Sequence, residues 1–564
     1  MHEATTILTD RGVKFDVKKA FDKYQNVFIP LYYHELWNEF VIAHTEASHL
    51  QKNVKVECVR NSSNSRIFFG EILTDYADNY NPQDRLFSPY DVILMKINND
   101  HYFGVVVYAR RTHVNQENNK CRTIQVHTHI GIYLSEQCSV QYHKRRTLDP
   151  DVEISRLTSL TSSKRCLTAI NNLPFYHQEC LLAPSLIDPY FQQPERSYHN
   201  VTAKYFNERQ LKAIQMAVDI HDDLIERIHL IHGPPGTGKS KTIAGIVDNL
   251  FDKLHGNKKI LLCAPSNNAC DELLKKILEH CGDKLNQKHI VRVGCRPPES
   301  KELWDYFLDY RVISELVVKL KTEPAFNRST IEKKIQYKLL KSTKIIISTL
   351  NYSASSRLRL LYDDPTGVSF LIVDEASQAS EAIATVVLSE ASKSYNLSQS
   401  LYFRLNKIFE RQPNPPVIML NTQYRMNPEI VSYPNKEFYG GELDNAKSVF
   451  SQSSDQFKPL FYYNIETAAH SHDYASSAYN QVEAEVVAKF CHRLIWLWGS
   501  MNLDDEDTTL LIEQRIGVIT PYKGQMHVLE QEFQKWDMSH VEIGSVDSFQ
   551  GKEKDFILIS CVRS

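Results

Sequence analysis

"RIHLIHGPPGTGKSKTIAGIVDNL", residues 227–250, decides the fold. The apolar run Ile228–Ile231 stops at glycine and proline, and a helical stripe of Ile243, Ile246, Val247 and Leu250 begins behind it. Strand, turn and helix in that order predict a parallel sheet with helical crossovers. The turn satisfies G-x-x-x-x-G-K-[ST] with Gly233, Gly238, Lys239 and Ser240. Glycines there let backbone N–H groups curl around an anion, and the helix N-terminus adds partial positive charge. Lys239 is placed to reach the β/γ-phosphate oxygens of a nucleotide and Ser240 to hold Mg²⁺.

A second apolar strand, "FLIVDEA" at 370–376, ends in Asp374 and Glu375. In a P-loop sheet such a strand end lies on the catalytic edge. Two acids at a strand end are by themselves an ordinary solvated terminus, but beside a P-loop they acquire roles. Asp374 suits hydrated Mg²⁺, and Glu375 suits orientation and deprotonation of an attacking water.

The rest of the chain alternates in the same way. "KILLCAP", "HIVRVG", "KIIIST", "PVIML", "IGVITPY" and "DFILISCV" are apolar runs separated by helical patterns. They predict two parallel-sheet units, 201–411 and 412–564, hinged near "RQPNPP" at 411–416, with a helical insertion at about 296–340. Residues 54–150 read differently. "RIFFGEIL", "DVILMKI", "YFGVVVYARR" and "RTIQVHTHIGIYL" are β-branched or aromatic runs, separated by polar turns such as "NQENNK", and predict a small antiparallel barrel or sandwich. Residues 1–53 predict a helix with Tyr24, Phe28, Tyr32, Leu36 and Phe40 on one stripe and Pro30 near its start. Residues 151–200 read as a helix followed by a linker.

Composition narrows the class. The 564 residues exceed one core, and a net charge of −3 gives no global basic signature, so any nucleic-acid contact must come from a local groove. The 11 cysteines form no C-x₂-C pair, which argues against a zinc module or disulfide framework. No apolar run approaches the length of a membrane span, and the opening residues lack a signal-type apolar region, so a soluble intracellular protein without membrane partners is expected.

Smaller motifs suggest what the nucleotide drives. Gln210, in "FNERQLKAI", offers one donor and one acceptor to an adenine edge. "CAPSNNACDEL" leaves a strand through a turn rich in amide donors, suited to a phosphodiester backbone. "LNTQYRMNPEI" supplies Tyr424 for stacking and Arg425 for a γ-phosphate, and "VDSFQGKEKDFILISCVRS" supplies Asp547, Gln550, Gly551 and Glu553. Each alone is equally compatible with capping or surface chemistry.

In order, from "FNERQ" through "GPPGTGKSKT", "APSNNACDEL", "STL", "DEASQASE", "NTQYRMNPE", "YPNKEFYGGEL" and "GVITPYKGQ" to "VDSFQGKEKDFILISCVRS", the chain resembles the up-frameshift-like branch of superfamily 1B helicases. The opening "NVFIPLYYHELWNEF" and the lack of a Cys/His-rich zinc domain are most like its senataxin-like members. The resemblance implies an α/β fold of two RecA-like domains, with an inserted or preceding small β-barrel on helical stalks. It implies a monomeric, ATP- and Mg²⁺-dependent motor moving 5′ to 3′ on single-stranded RNA or DNA. It further implies nuclear work on RNA–DNA hybrids and transcription termination beside the transcription machinery.

Residue by residue, the resemblance assigns Gln210 to the adenine, and Gly236, Thr237, Gly238, Lys239 and Ser240, flanked by Gly233 and Lys241, to the phosphates and metal. Asp374 and Glu375 take the chemistry, Tyr424 stacks on the base, Arg425 meets the γ-phosphate and Glu553 lies near the ribose. Pro265, Ser266, Asn267, Thr349, Thr520, Pro521, Tyr522 and Asp547 would face nucleic acid.

Two family features are missing from the pattern: a G-D-x-x-Q-L sensor after the DEAxQ box, and an arginine motif after "CVRS". Loss of an internal strand would leave ladder groups unpaired. The expectation is therefore that Ala384 and Thr385 flank an omitted stretch and lie farther apart than bonded neighbours. Taken literally, the gaps would impair hydrolysis; the leading expectation is an ATP-dependent nucleic-acid translocase and helicase, and the alternative, consistent with the gaps, is an ATP-gated RNA clamp or scaffold with weak turnover. A small-molecule kinase would leave "QYRM" and "TPYKGQ" without a role.

Overall fold

The computed structural model describes residues 6–8, 14–47, 54–56, 58–61, 67–76, 87–97, 100–118, 121–134, 152–172, 205–222, 227–322, 328–358, 367–378, 400–412, 415–451, 458–465, 471–472, 477–501, 512–549 and 551–563. Ala384, Thr385 and Gln550 lie outside them.

Four parallel strands form the sheet on which the candidate site rests, in the order Ile290–Val293, Ile345–Thr349, Lys259–Ala264, Val368–Val373. The central strand shows why the sequence demands two covering layers. Its Ile260 and Leu262 enter one core with Ile243, Val247 and Leu250 of the helix Lys239–Phe251 and with Leu273 and Leu274 of Asn267–Cys281. Its Leu261 and Cys263 enter the other, against Val312 and Leu316 of Leu308–Thr322 and Ile331 and Ile335 of Arg328–Ser342. An unbroken apolar run is what a strand buried on both faces requires. The expected helical insertion is therefore the second covering layer of this sheet.

Leu230–His232, the strand before the P-loop, pairs in parallel with Val417–Met419. That pairing moves the division between units. The hinge expected at 411–416 is replaced by a first compact unit of Met1–Arg425 with Gly441–Ala446, and a second of Met426–Gly440 with Lys447–Ser564. The motif-scale reading failed here because a three-residue strand declares its sheet only through its partner.

The described residues between 54 and 159 form seven antiparallel strands: Val54–Val56, Val152–Ser159, Asp91–Ile97, Asp100–Asn118, Cys121–Leu134, Ile67–Tyr76 and Cys58–Asn61, in spatial order. Where a helix was expected from 151, Val152–Ser159 is a strand, and its fully buried Ile154 lies opposite Met95 and Val54. Thr161–Asn172 then forms the helix, and its Cys166 packs with Tyr32 and Leu36 of Val17–Ala47. The latter helix begins earlier than expected, so Pro30 stands inside it, exposed, rather than near its start.

In the second unit, Glu542–Gly544, Ile516–Ile519 and Phe556–Ile559 form a parallel sheet in that order. Ile516 and Val518 are buried with Leu529 and Phe533 of Lys523–Lys535 and with Ala488 and Cys491 of Gln481–Met501.

Ile347 is fully buried in the first unit's sheet, whereas Leu371 on the Val368–Val373 strand is 57% exposed. Ile347→Ala should lower stability by about 2–5 kcal/mol in chemical denaturation. Leu371→Ala should change it by about 0.5 kcal/mol or less. Equal losses would contradict the assigned faces.

Candidate nucleotide site and strand-end edge

The loop between Leu230–His232 and Lys239–Phe251 is shaped by two glycines with left-handed backbones, Gly236 at φ 77° and Gly238 at φ 81°. Space is as restrictive as conformation. A Cβ on Gly236 would stand 2.7 Å from Arg425 Cβ, and one on Gly238 would stand 2.6 Å from Gln210 Nε2. At Gly233 it would meet Lys239 Cγ at 2.2 Å. Only glycine fits these three positions without displacement. Thr237 is buried, its hydroxyl donating to the Pro234 carbonyl at 2.7 Å. Ser240 and Lys241 occupy the first turn of the helix, where orphan N–H groups face an incoming anion.

Gln210 is 2% exposed and tied to this loop. Its Nε2 donates to the Thr237 carbonyl at 3.0 Å, and its Oε1 accepts from the Asn207 amide at 3.1 Å. Asn207 Oδ1 returns the favour by accepting from the Gln210 amide at 2.9 Å, a reciprocal cap on Glu208–Asp222. Asn207 also donates from Nδ2 to the Tyr424 hydroxyl at 2.9 Å. The Tyr424 amide in turn donates to the Gly236 carbonyl at 2.8 Å, and the Arg425 amide to Gln423 Oε1 at 2.9 Å. Gln210, Tyr424 and Arg425 thus gather around one loop. Asn207 and Gln423 were missed, although both stand inside the motifs "FNERQ" and "NTQYR".

Lys239 Nζ donates to the Gly233 carbonyl at 2.9 Å and lies 3.2 Å from Glu375 Oε1. The two acids at the end of Val368–Val373 therefore reach the P-loop. Glu375 carries a φ of 51°, uncommon for a residue with a side chain, and its amide donates to Asp374 Oδ1 at 2.9 Å. Gln378 Nε2 donates to Glu375 Oε2 at 3.0 Å. Burial, then the neighbouring Glu375, push the Asp374 carboxyl above its usual range, with Lys239 opposing. A half-buried carboxylate beside a second acid behaves this way. Among the described residues no cluster of three or more His, Cys, Asp or Glu could hold a metal. Mg²⁺ requires only one or two carboxylates, completing its shell with water and phosphate.

The same sheet edge carries the candidates for nucleic acid. Ala264 is level with Thr349, and Val293 with Ser348, so Pro265, Ser266, Asn267 and Thr349 emerge side by side. Pro265 and Ser266 are exposed. Ser266 Oγ caps Asn267–Cys281 by accepting from the Ala269 amide at 3.1 Å, and Thr349 Oγ1 accepts from the Tyr352 amide at 3.2 Å. Within the second unit, Thr520, Pro521 and Tyr522 follow Ile516–Ile519, and Asp547 opens the turn after Glu542–Gly544. Pro521 and Asp547 are exposed, whereas Thr520 is fully buried, its amide donating to the Gly544 carbonyl at 3.0 Å. Glu553 is exposed in the loop before Phe556–Ile559.

AAA-domain family models match residues 205–328 with 315–395, and residues 397–564. Helicase sen1 of Schizosaccharomyces pombe is 27% identical over 535 residues, covering 72% of this chain and 30% of the relative. Senataxin of Mus musculus is 26% identical over 550 residues, covering 76% of this chain and 20% of the relative. Regulator of nonsense transcripts 1 of Dictyostelium discoideum is 29% identical over 465 residues, covering 72% and 32%. The chain therefore spans at most about a third of the length of these relatives.

A raised folded-state carboxyl value penalises stability above that value and ceases to do so below the ordinary carboxylate range. Asp374→Asn should accordingly melt higher than the parent protein near neutral pH in buffer free of nucleotide and metal. The gap should close as the pH falls below about 4, where the carboxyl is protonated in both states. Melting curves that coincide at neutral pH would refute the buried-charge account.

Proposed function

The chain is a senataxin-like member of the up-frameshift-like superfamily 1 helicases, and from that premise we propose that it uses ATP and Mg²⁺ to move along single-stranded nucleic acid and unwind duplexes. The reading rests above all on the Lys239–Glu375 contact of 3.2 Å, which brings the P-loop cation and the acid after the second strand to one point. Mg²⁺–ATP suits the residues present, because the left-handed Gly236 and Gly238 turn the loop into the N-terminus of Lys239–Phe251, where backbone N–H groups and the Lys239 ammonium favour a phosphate chain.

In this reading Gly233, Gly236, Thr237, Gly238, Lys239, Ser240 and Lys241 receive the phosphates, with Gln210 and Tyr424 toward the base and Glu553 toward the ribose. Ser240 and Asp374 hold Mg²⁺, which when bound neutralises charge building on the transferred phosphoryl group. Lys239 exchanges its bond to Glu375 for one to a phosphate oxygen, which frees the carboxylate. Glu375 then takes a proton from water at Oε1 while Gln378 restrains Oε2. Arg425 supplies positive charge to the γ-phosphate. Pro265, Ser266, Asn267 and Thr349, with Pro521, Tyr522 and Asp547 in the second unit, serve the strand, whereas Thr520, expected to face nucleic acid, is fully buried and instead holds the end of Ile516–Ile519 through its amide bond to Gly544. The seven-stranded segment is read as the family's small barrel, flanked by helical stalks. Movement 5′ to 3′, work on RNA–DNA hybrids in transcription termination and a nuclear location complete the proposal.

Glu375→Gln should reduce phosphate release by roughly 10²–10⁴, the usual effect of removing a general base. Nucleotide-dependent strand binding should survive. The parent protein should displace a strand from substrates with a 5′ overhang and fail on those with a 3′ overhang. Nucleotide-dependent binding without strand displacement would favour an ATP-gated clamp, and turnover by Glu375→Gln near that of the parent would rule out this base.

A further inference from the structure

Arg292 is completely buried in the strand Ile290–Val293, beneath the helix Asn267–Cys281. Its Nε donates to Asp271 Oδ1 at 2.9 Å. Its Nη2 donates to Asn267 twice, to Oδ1 at 2.9 Å and to the carbonyl at 3.3 Å. Among the described residues its Nη1 is buried without a hydrogen-bond partner. Gly294 makes the room, since a Cβ there would stand 1.7 Å from that nitrogen. A buried guanidinium with one unsatisfied nitrogen is a costly way to fasten a helix to a sheet, because an apolar pair would do so without desolvating charge. The arrangement calls for a purpose beyond packing.

We infer that Arg292 is a positioning residue that turns Asn267 into an outward-facing hydrogen-bond donor for a phosphodiester oxygen. The inference rests on the nucleic-acid reading above. Guanidinium nitrogens can only donate, so the group facing Arg292 must be the amide oxygen of Asn267. The orientation of that amide is thereby determined by chemistry. The Asn267 NH₂ group is left toward the exposed end of the strand, where among the described residues it finds the weak acceptor Cys295 Sγ at 3.8 Å. Beside it stand the exposed Ser266 and, one strand over, Thr349. A donor held here reads an anionic backbone and no base, so it contributes affinity without sequence preference.

The test uses the full chain, a nonhydrolysable ATP analogue, and fluorescent oligo(U) and oligo(dT) strands in an anisotropy titration at fixed salt. Asn267→Ala should weaken binding about tenfold, the loss expected for one hydrogen bond to a charged oxygen. Arg292→Lys should weaken it comparably, because a single ammonium cannot hold Asp271 and orient the planar amide together. In the Asn267→Ala background the same Arg292→Lys change should add less than about twofold, since its effect passes through the missing amide. Asn267→Asp should bind more weakly than Asn267→Ala, because the arginine then orients a carboxylate whose second oxygen repels phosphate. Equal losses from Arg292→Lys in both backgrounds, or Asn267→Asp binding as well as Asn267→Ala, would overturn the inference. Thermal melting checks that each variant folds, and should Arg292→Lys fail, the two Asn267 variants decide alone. A parent protein that binds neither strand overturns the nucleic-acid reading and this one with it. A parent that binds while folded Arg292→Lys binds equally well overturns this one only.

Discussion

The parallel ladder around Lys259–Ala264 is the constraint on which the first unit's chemistry depends. Its register sets Ala264 beside Thr349 and Cys263 beside Val373, so neighbouring strands end at one level. Pairing continues one step past the strand, where the Asp374 amide donates to the Cys263 carbonyl at 2.8 Å. That bond fixes where Asp374 leaves the sheet, and Glu375 then turns with a φ of 51° to reach Lys239. A shift of register by one residue would send the apolar side chains to opposite faces and carry both acids away from the P-loop.

The edge is electrostatically divided along its length. At one end Asp374 is a carboxylate held against its own desolvation, with only Lys239 and a backbone amide in its favour. Three strands away, in Ile290–Val293, the buried charge is positive, and Asp271, itself raised by burial and lowered by Arg292, answers it. A site for a metal-bound phosphate chain and a site for a strand backbone need opposite local charge. In the proposed reading a single sheet serves both, because its successive strand ends are independent positions for side chains.

The helix Thr161–Asn172 joins that edge at an identifiable place. Arg165 of Thr161–Asn172 donates from Nη1 to the carbonyl of Asn351 at 2.9 Å and to its Oδ1 at 2.8 Å, and Asn351 Nδ2 donates back to Ser162. Asn351 lies in the short helix capped by Thr349. Burial lowers the Arg165 guanidinium value, with no carboxylate among the causes to oppose it. The helix that follows the antiparallel sheet is therefore fastened two residues from a candidate strand contact by hydrogen bonds to neutral groups. These are less sensitive to salt than a surface ion pair would be.

The residues alone determined the local chemistry. Glycines at 233, 236 and 238 before a lysine, and two acids after four apolar residues, specify a phosphate loop and a charged strand end whatever surrounds them, because backbone conformation and strand burial act at short range. The eight apolar runs of the parallel sheets were legible for the same reason. Tertiary structure decided everything that depends on a partner distant in sequence. Val417–Met419 belongs with Leu230–His232, and Val152–Ser159 is a strand because Asp91–Ile97 lies beside it. Gln210 meets Thr237, Asn207 meets Tyr424, and Arg292, an unremarked arginine in an apolar run, meets Asn267. A short segment is compatible with several environments, and only the packing of the whole unit selects which hydrogen bonds it makes.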